Sequence, residues 1–545
     1  MAKKKSPIDP LDGPKMALAG DIVAMDDALN VTRDGRLYVD KGVIVAIGRA
    51  TDPPPTGFES VSVLNTGGTM FPGLIELHNH LAYNALRLWQ VPKKYSNRDQ
   101  WSGIPEYRKL VSGPMTVIGK SPGLVQPLIR YVEAKCLISG VTTSQGIALF
   151  SNAGIRRFYR GIVRNVEETD EENLPEAETR IADVEAQSAQ KFLARLKRET
   201  CFLLHLSEGA DEKAREHFLA LNFAPNQWAI TPQLAGIHCA ALQPEDFTVL
   251  GQLGGAMVWS PLSNLLLYGA TANVAAAVAA GVRIGIGSDW SPSGSKNLLG
   301  ELKVAWLVAQ QIGGVARPDI IAMATRTAAK ILGWGSLLGT LEAGKRADLI
   351  VVNGTSADPY DQLIRAKETD ITLVVINGVP RFGRNTFMSA LGATGEALTI
   401  DGQPRTLFLK QDTQDPLVGS IKLSQATATL KDALSKLPAL AKALEQPKPV
   451  AMIGRRRAPT TWQLALDEIE DTGFDLRPRL RSRHSRQLTG PTRRAAETAK
   501  PLSQILQPLE LDPLSVVDDP DFLPALATQR NLPQFVKDGL STLYG

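Results

Sequence analysis

Two histidines, His78 and His80, close the apolar run Met70-Phe71-Pro72-Gly73-Leu74-Ile75-Glu76-Leu77. Residues i and i+2 of a strand point to the same side. Both imidazoles therefore leave the strand end together, close enough to share one metal ion. A lone His-x-His is as often two unrelated surface histidines, but histidine is scarce here, with 6 in 545 residues, and three further sites follow in order. Cys201-Phe202-Leu203-Leu204-His205 is a second apolar run ending in histidine, with Glu208 three residues on. Gln233-Leu234-Ala235-Gly236-Ile237-His238 repeats the pattern, and Arg283-Ile284-Gly285-Ile286-Gly287-Ser288-Asp289 ends in aspartate. Three or four N/O ligands with one position left open are what a catalytic zinc or iron site requires. Chance is a poor account of the whole series.

These residues need a scaffold that brings strand ends together. Short alternating runs such as Val43-Ile44-Val45-Ala46-Ile47 near the start, and Ala347 to Val352 and Thr372 to Ile376 later, flank a long stretch where strands alternate with helical segments. The flanks predict one small β-sandwich assembled from both ends. The middle predicts an α/β fold, a parallel sheet closed as a (β/α)8 TIM-like barrel, with the site at its C-terminal mouth. The expected division is a flexible N-terminus (1–16), an N-terminal sandwich segment (17–70), the barrel (71–338), a returning sandwich segment (339–385) and a C-terminal extension (386–545). Seven barrel strands can be placed, near Met70–Ile75, Val141–Thr143, Gly161–Asn165, Cys201–Leu206, Gln233–His238, Ala256–Ser260 and Arg283–Ser288. The fourth is missing: Glu167 to Glu172 reads as an acidic loop and Glu176 to Lys197 as a polar helix, which leaves a strand hidden near Phe158 or an irregular barrel.

Composition bounds the function. A chain that is 43% hydrophobic with net charge +4 can bury a large core and is too weakly basic to imply nucleic acid. Cys136, Cys201 and Cys239 cannot all pair and sit in apolar contexts, which predicts reduced thiols and a cytoplasmic protein. No secretory signal or membrane span is read in the sequence. Arg477 to Arg494 carries seven arginines and no acid, and reads as a solvated linker, with binding to an acidic partner surface or to nucleic acid as the sharper alternative. Leu509 to Tyr544 reads as an arm docking on the barrel or on a second subunit of a possible homodimer.

The combination of motifs resembles the amidohydrolase superfamily, in the branch of the s-triazine hydrolases and the guanine, cytosine and S-adenosylhomocysteine deaminases. Supporting phrases are Leu137-Ile138-Ser139-Gly140-Val141-Thr142-Thr143, Ser260-Pro261-Leu262-Ser263-Asn264 with Gly269, and Gly339-Thr340-Leu341-Glu342-Ala343-Gly344-Lys345-Arg346-Ala347-Asp348. The resemblance spans roughly residues 17–385. It implies one divalent metal, zinc ahead of iron, on His78, His80, His205 and Asp289. Glu208 would be the proton shuttle, His238 an electrostatic or proton-transfer residue, and Asp289 both a ligand and the acceptor of the water's proton. The bridging lysine of two-metal relatives finds no match at a strand end, and the nearest glutamates, Glu167 and Glu168 just after the third strand, read as an acidic loop, which favours a single ion.

Specificity is less legible. Tyr83, Asn84 and Trp290 are expected to line the pocket, and Trp89, Tyr95, Arg98 and Trp101 lie on a loop able to cap it. Trp259 and Trp290 replace the smaller or polar residues of relatives. His217 and His484 are expected to face solvent. The expected function is hydrolysis of a C–N bond in a small cyclic nitrogen compound, by hydroxide attack on a ring carbon, as a deaminase or a cyclic-amide hydrolase. The alternative is a non-catalytic scaffold whose basic extension binds a partner.

Overall fold

The computed structural model describes residues 11, 13–411, 415, 417–446, 460–466 and 500–545. The arginine run and His484 lie outside the described residues, as do residues 1–10 and 12 of the expected flexible N-terminus.

Eight parallel strands form the scaffold of the site. Leu74–Glu76, Val141–Ser144 and Arg164–Asn165 make a three-stranded arc. Ala177–Arg180, Cys201–Leu206, Leu234–His238, Ala256–Trp259 and Arg283–Ile286 make a five-stranded arc. Single contacts bridge the arcs: Ala177 N–H donates to the Val166 carbonyl at 2.8 Å, and Leu77 N–H to the Ile286 carbonyl at 3.2 Å. Helices follow six of the eight strands, all but Val141–Ser144 and Arg164–Asn165, and complete a TIM-barrel-like α/β arrangement. Cys201–Leu206 and Leu234–His238 are buried at every position, as strands covered on both faces must be, and that is why they read as continuous apolar runs.

The missing fourth strand is Ala177–Arg180, which pairs in parallel with Cys201–Leu204. This corrects the expected polar helix, which is confined to Ala189–Leu196 after one 3-10 turn. The strand carries no apolar signal because its polar side chains are used sideways. Glu178 accepts from Arg195 at 2.8 Å, and the Thr179 hydroxyl donates to Glu167 at 2.7 Å. Glu167 is accordingly no solvated loop residue: it is buried and also accepts from the Gly146 N–H at 2.8 Å. A strand does lie near Phe158, but Arg156–Phe158 pairs antiparallel with Ala148–Ser151 as a hairpin outside the arcs. The described piece of the extension at Trp462–Leu464 adds a third strand to that hairpin.

The flanking strands are hydrogen-bonded into one continuous nine-stranded sheet assembled from both ends of the family-like region. Val63–Pro72 is the reason. It pairs in parallel with Met16–Val23 and antiparallel with Leu349–Asn353, so one strand stitches the two ends of the chain together. The sheet also runs past residue 385, through Glu396–Ile400 and Gln403–Leu407. Beyond it, helices Leu423–Ser435 and Leu437–Glu445 pack on the barrel side, and an arm over 500–545 ends in helix Gln534–Tyr544 against helix Leu298–Ile312. Among the described residues no helix is long and apolar enough to cross a membrane. All three cysteines are buried and unpaired.

Candidate active site

The backbone itself joins His78-Asn79-His80 to Asp289. Asn79 and Asp289 form a parallel bridge, with His80 N–H donating to the Asp289 carbonyl at 2.6 Å and Asp289 N–H to the His78 carbonyl at 3.1 Å. This close approach requires glycine at 287, where an added Cβ would lie 2.4 Å from the His78 carbonyl oxygen and 2.5 Å from its nitrogen. Backbone cannot yield as a side-chain tip would. The Gly287→Ala variant is therefore expected to lose at least about 1–3 kcal/mol of stability and its bound metal with it. Thermal melts read beside metal content check this; wild-type values of both would refute it.

Four imidazoles converge with the Asp289 carboxylate. Ring centroids of His78 lie 5.0 Å from His80, 4.7 Å from His205 and 5.1 Å from His238. Two sets of ligand atoms lie within 4.8 Å of one another, His78 with His205 and His238, and His78 with His80 and Asp289. His78 belongs to both. Its Nδ1 faces Gln145 Oε1 at 3.0 Å, an oxygen that also accepts from the Asn79 N–H at 2.9 Å. The amide is thereby oriented by a backbone donor, so Nδ1 carries the imidazole hydrogen and Nε2 presents its lone pair. That Nε2 is fully buried and faces Asp289 Oδ1 at 3.1 Å, itself an acceptor, with no donor to satisfy it. A buried acceptor without a donor is costly; among nitrogen and carboxylate ligands it fits a cation.

His238 is held in the opposite sense. The Trp259 indole N–H donates to Thr271 Oγ1 at 2.8 Å, the Thr271 hydroxyl donates to Asn264 Oδ1 at 3.3 Å, and Asn264 Nδ2 donates to His238 Nδ1 at 3.1 Å. An indole can only donate, so the chain has one direction, and it leaves the hydrogen of neutral His238 on Nε2. Trp259 thus acts on His238 through the relay. Burial pushes His238 down to about 3, the other imidazoles adding to it against Asp289, so the ring is neutral at pH 7. His205 is likewise held well below its ordinary value, by burial first and then by His78, His238 and His80.

The carboxyls part in opposite directions. Burial raises Glu208, and Asp289 adds to this, against Arg98 and a hydrogen bond from the Tyr268 hydroxyl at 2.8 Å. Burial would raise Asp289 too, but its surroundings, the close contact with His78 foremost, outweigh it and hold the carboxyl below its ordinary value. Ser263 Oγ donates to its Oδ2 at 2.5 Å. Two neighbouring carboxyls with opposite tendencies are the arrangement of an acid and a base. Arg98 Nη1 stands 3.7 Å from Glu208, and the Trp101 indole N–H donates to the Tyr268 hydroxyl at 2.9 Å. The loop expected to cap the site thus holds Glu208 directly through Arg98 and indirectly through Trp101. Ser207, His238, Cys239 and Asp289 all have positive φ (51°, 70°, 49° and 66°). Strain of this kind gathers where neighbouring structure over-determines a functional turn.

A cavity of about 350 Å³ opens onto His80, His205, Glu208, His238 and Asp289, bordered by Trp101 and Trp290. A second, of about 60 Å³, lies on the other side of His80 and His205 and takes in Tyr83, Gln145 and Arg180. Leu464, Ala465 and Leu466 of the extension border it. Trp290 meets His80 at 5.4 Å and Tyr83 at 5.1 Å between ring centroids. Asn84 is placed elsewhere than expected. Its amide is spent on Asn79 Oδ1 at 3.0 Å and the Ser291 N–H at 2.8 Å, beneath the site, and it borders neither cavity. His217 is half-buried, 3.2 Å from Asp183 and outside the cluster. Gln145 and Tyr268 carry no mark of their own in the sequence. Only their places beside the strand-end phrases could have pointed to them.

Comparison with known proteins agrees with this geometry. The family model described as "Amidohydrolase family" matches residues 69–381. A 5-methylthioadenosine/S-adenosylhomocysteine deaminase of Moorella thermoacetica is 26% identical over 64% of this chain and 88% of its own. An S-triazine hydrolase of Gordonia rubripertincta is 32% identical over 30% of this chain and 35% of its own. Among solved structures, a zinc-bound adenosine deaminase from Xanthomonas campestris covers 78% of this chain and 99% of its own at 16% identity, TM-score 0.52. A zinc complex of atrazine chlorohydrolase from Arthrobacter aurescens covers 76% and 99% at 16% identity, TM-score 0.52. At such identity the structural likeness speaks for the fold. With the family model spanning more than half the chain, this protein belongs to the amidohydrolase family.

Proposed function

We propose that this amidohydrolase is a mononuclear, zinc-dependent hydrolase of a small planar nitrogen heterocycle, and that it releases ammonia from a ring carbon. The observation that carries the reading is the convergence of His78, His80, His205, His238 and Asp289, with Glu208, a second carboxyl outside the ligand sets, 3.8 Å from His238 Nε2. In this reading the eight parallel strands close into one barrel with the site at their carboxyl ends.

His78, His80, His205 and Asp289 would hold the ion, with His238 alongside. When bound, a divalent metal lowers the pKa of water toward ~7 and polarises the substrate. Glu208 carries a proton to the ring nitrogen beside the attacked carbon, with Tyr268 and Arg98 fixing its orientation. Asp289 accepts the first proton of the attacking water and passes it to the amine, which leaves as ammonia as the C–N bond breaks, while the proton of the hydroxyl left on the carbon restores Glu208. His238, with its hydrogen on Nε2, donates toward the oxygen that builds up charge on that carbon. Trp101 and Trp290 border the larger cavity with flat apolar surface suited to a planar ring, and exclude water from it. The names of the relatives, deaminases and s-triazine hydrolases, and the zinc in the neighbouring structures support both the substrate class and the metal. No observation favours the scaffold alternative.

The test is metal analysis of protein purified without chelator, coupled to ammonia release from a panel of aminopurines, aminopyrimidines, amino-s-triazines and cyclic amides. About one zinc per chain with ammonia from a ring amine is the expected result. Iron in place of zinc would correct the metal, and ring opening without ammonia would move the activity to cyclic amides. A metal-free protein inert on the whole panel would end the reading.

A further inference from the structure

The arm at the end of the chain carries two buried aspartates into the floor of the site. Asp512 Oδ2 accepts from Lys135 Nζ at 2.5 Å, and Asp512 Oδ1 from Lys296 Nζ at 2.5 Å. Lys296 also donates to Asp519 at 2.7 Å. All four side chains are at most 3% exposed. Buried charges persist when they are paired and fully hydrogen-bonded, and here the pairing runs between the extension and the barrel.

The same lysine reaches the ligand turns. Lys135 Nζ donates to the Asn84 carbonyl at 2.7 Å and lies 3.4 Å from Ser291 Oγ. Asn84 in turn donates to Asn79, the residue between His78 and His80, and accepts from the Ser291 N–H, two residues after Asp289. Asn79 donates to Glu76 at 2.8 Å, and Glu76 accepts from the Ser288 N–H at 3.1 Å. One buried polar web thus underlies both metal-binding turns and ends at Asp512. The arm also takes hold of the cap loop, where Gln529 donates to the Trp89 carbonyl at 2.9 Å and accepts from the Val91 N–H at 3.2 Å.

We infer that Asp512 is a positioning residue for the metal-ligand turns, acting through Lys135. The C-terminal extension is thereby a working part of the site. Without Asp512 the ammonium of Lys135 stays buried beside that of Lys296, and loses the partner that fixes it against Asn84 and Ser291. The ligand turns then lose their shared anchor. The inference rests on the metal reading of the site.

The experiment follows zinc release from the full-length holoprotein to a chromophoric chelator, together with amide hydrogen exchange of the metal-free protein. Asp512→Asn is expected to release zinc about tenfold faster, at the low end for outer-shell changes. Its exchange is expected to quicken over residues 79–86 and 289–296. Glu510→Gln, on the same arm but at an exposed carboxylate paired with Arg87, is expected to match wild type in both. If Asp512→Asn does not fold, Asp512→Asn with Lys296→Met restores the charge balance and is expected to show the same fast release. Wild-type release and exchange in a folded Asp512 variant, even one with a lowered Tm, would overturn the inference and leave the arm a passive dock. If wild-type protein holds no zinc, the proposed function fails, and exchange over the two turns alone decides this inference.

Discussion

Glu208→Gln is expected to lower kcat by about 10²–10⁴-fold with metal content and fold unchanged. Glu208 is not in either set of converging ligand atoms, so its carboxyl is dispensable for metal. Glutamine keeps its size and still accepts from the Tyr268 hydroxyl that holds Oε1. What it cannot do is carry a proton to the substrate. Burial is what makes the loss large, because a raised carboxyl is the better acid near neutral pH. An interaction made only in the transition state lowers kcat and kcat/KM together, so KM should barely move. Steady-state kinetics beside metal analysis decides the matter. A glutamine variant with wild-type kcat would remove Glu208 from the chemistry.

His78→Ala is expected to abolish both metal and turnover. Its imidazole is the one shared by both ligand sets, so its removal breaks each of them, whereas His80 belongs to one set only. The cost appears in stability as well. A ligand held at 1,000 times its Kd stabilises the folded state by about 4 kcal/mol, so added zinc should raise the Tm of wild type and leave the variant unmoved. His217→Ala, at an imidazole paired with Asp183 outside the cluster, serves as the matched control and should respond to zinc like wild type. Full metal content in His78→Ala would refute the ligand assignment.

Much of this site was legible because a buried parallel strand is apolar along its length, so a histidine at its end stands out. His78, His80, His205, His238 and Asp289 were all found that way, and the structure brings them together. The signal failed where local chemistry hid the element. Ala177–Arg180 is short and polar and owes its strand geometry to pairing with Cys201–Leu204, which no local pattern reports. Asn84 sits directly after a pocket residue, but the tight 3-10 turn over Leu81–Ala85 aims its amide below the site. Lys135 and Asp512 are partners across most of the chain, and neither residue type at its position announces the other.

The doubly paired strand of the flanking sheet has a consequence for biosynthesis. Val63–Pro72 can zip onto Met16–Val23 as soon as both have left the ribosome, but its other edge is complete only when Leu349–Asn353 has been made. At ~5–20 residues per second the wait is on the order of tens of seconds. Throughout it, a nascent chain presents an open, apolar strand edge, the kind of surface that templates aggregation. The growing barrel, or a chaperone, has to shield that edge until the last third of the polypeptide arrives.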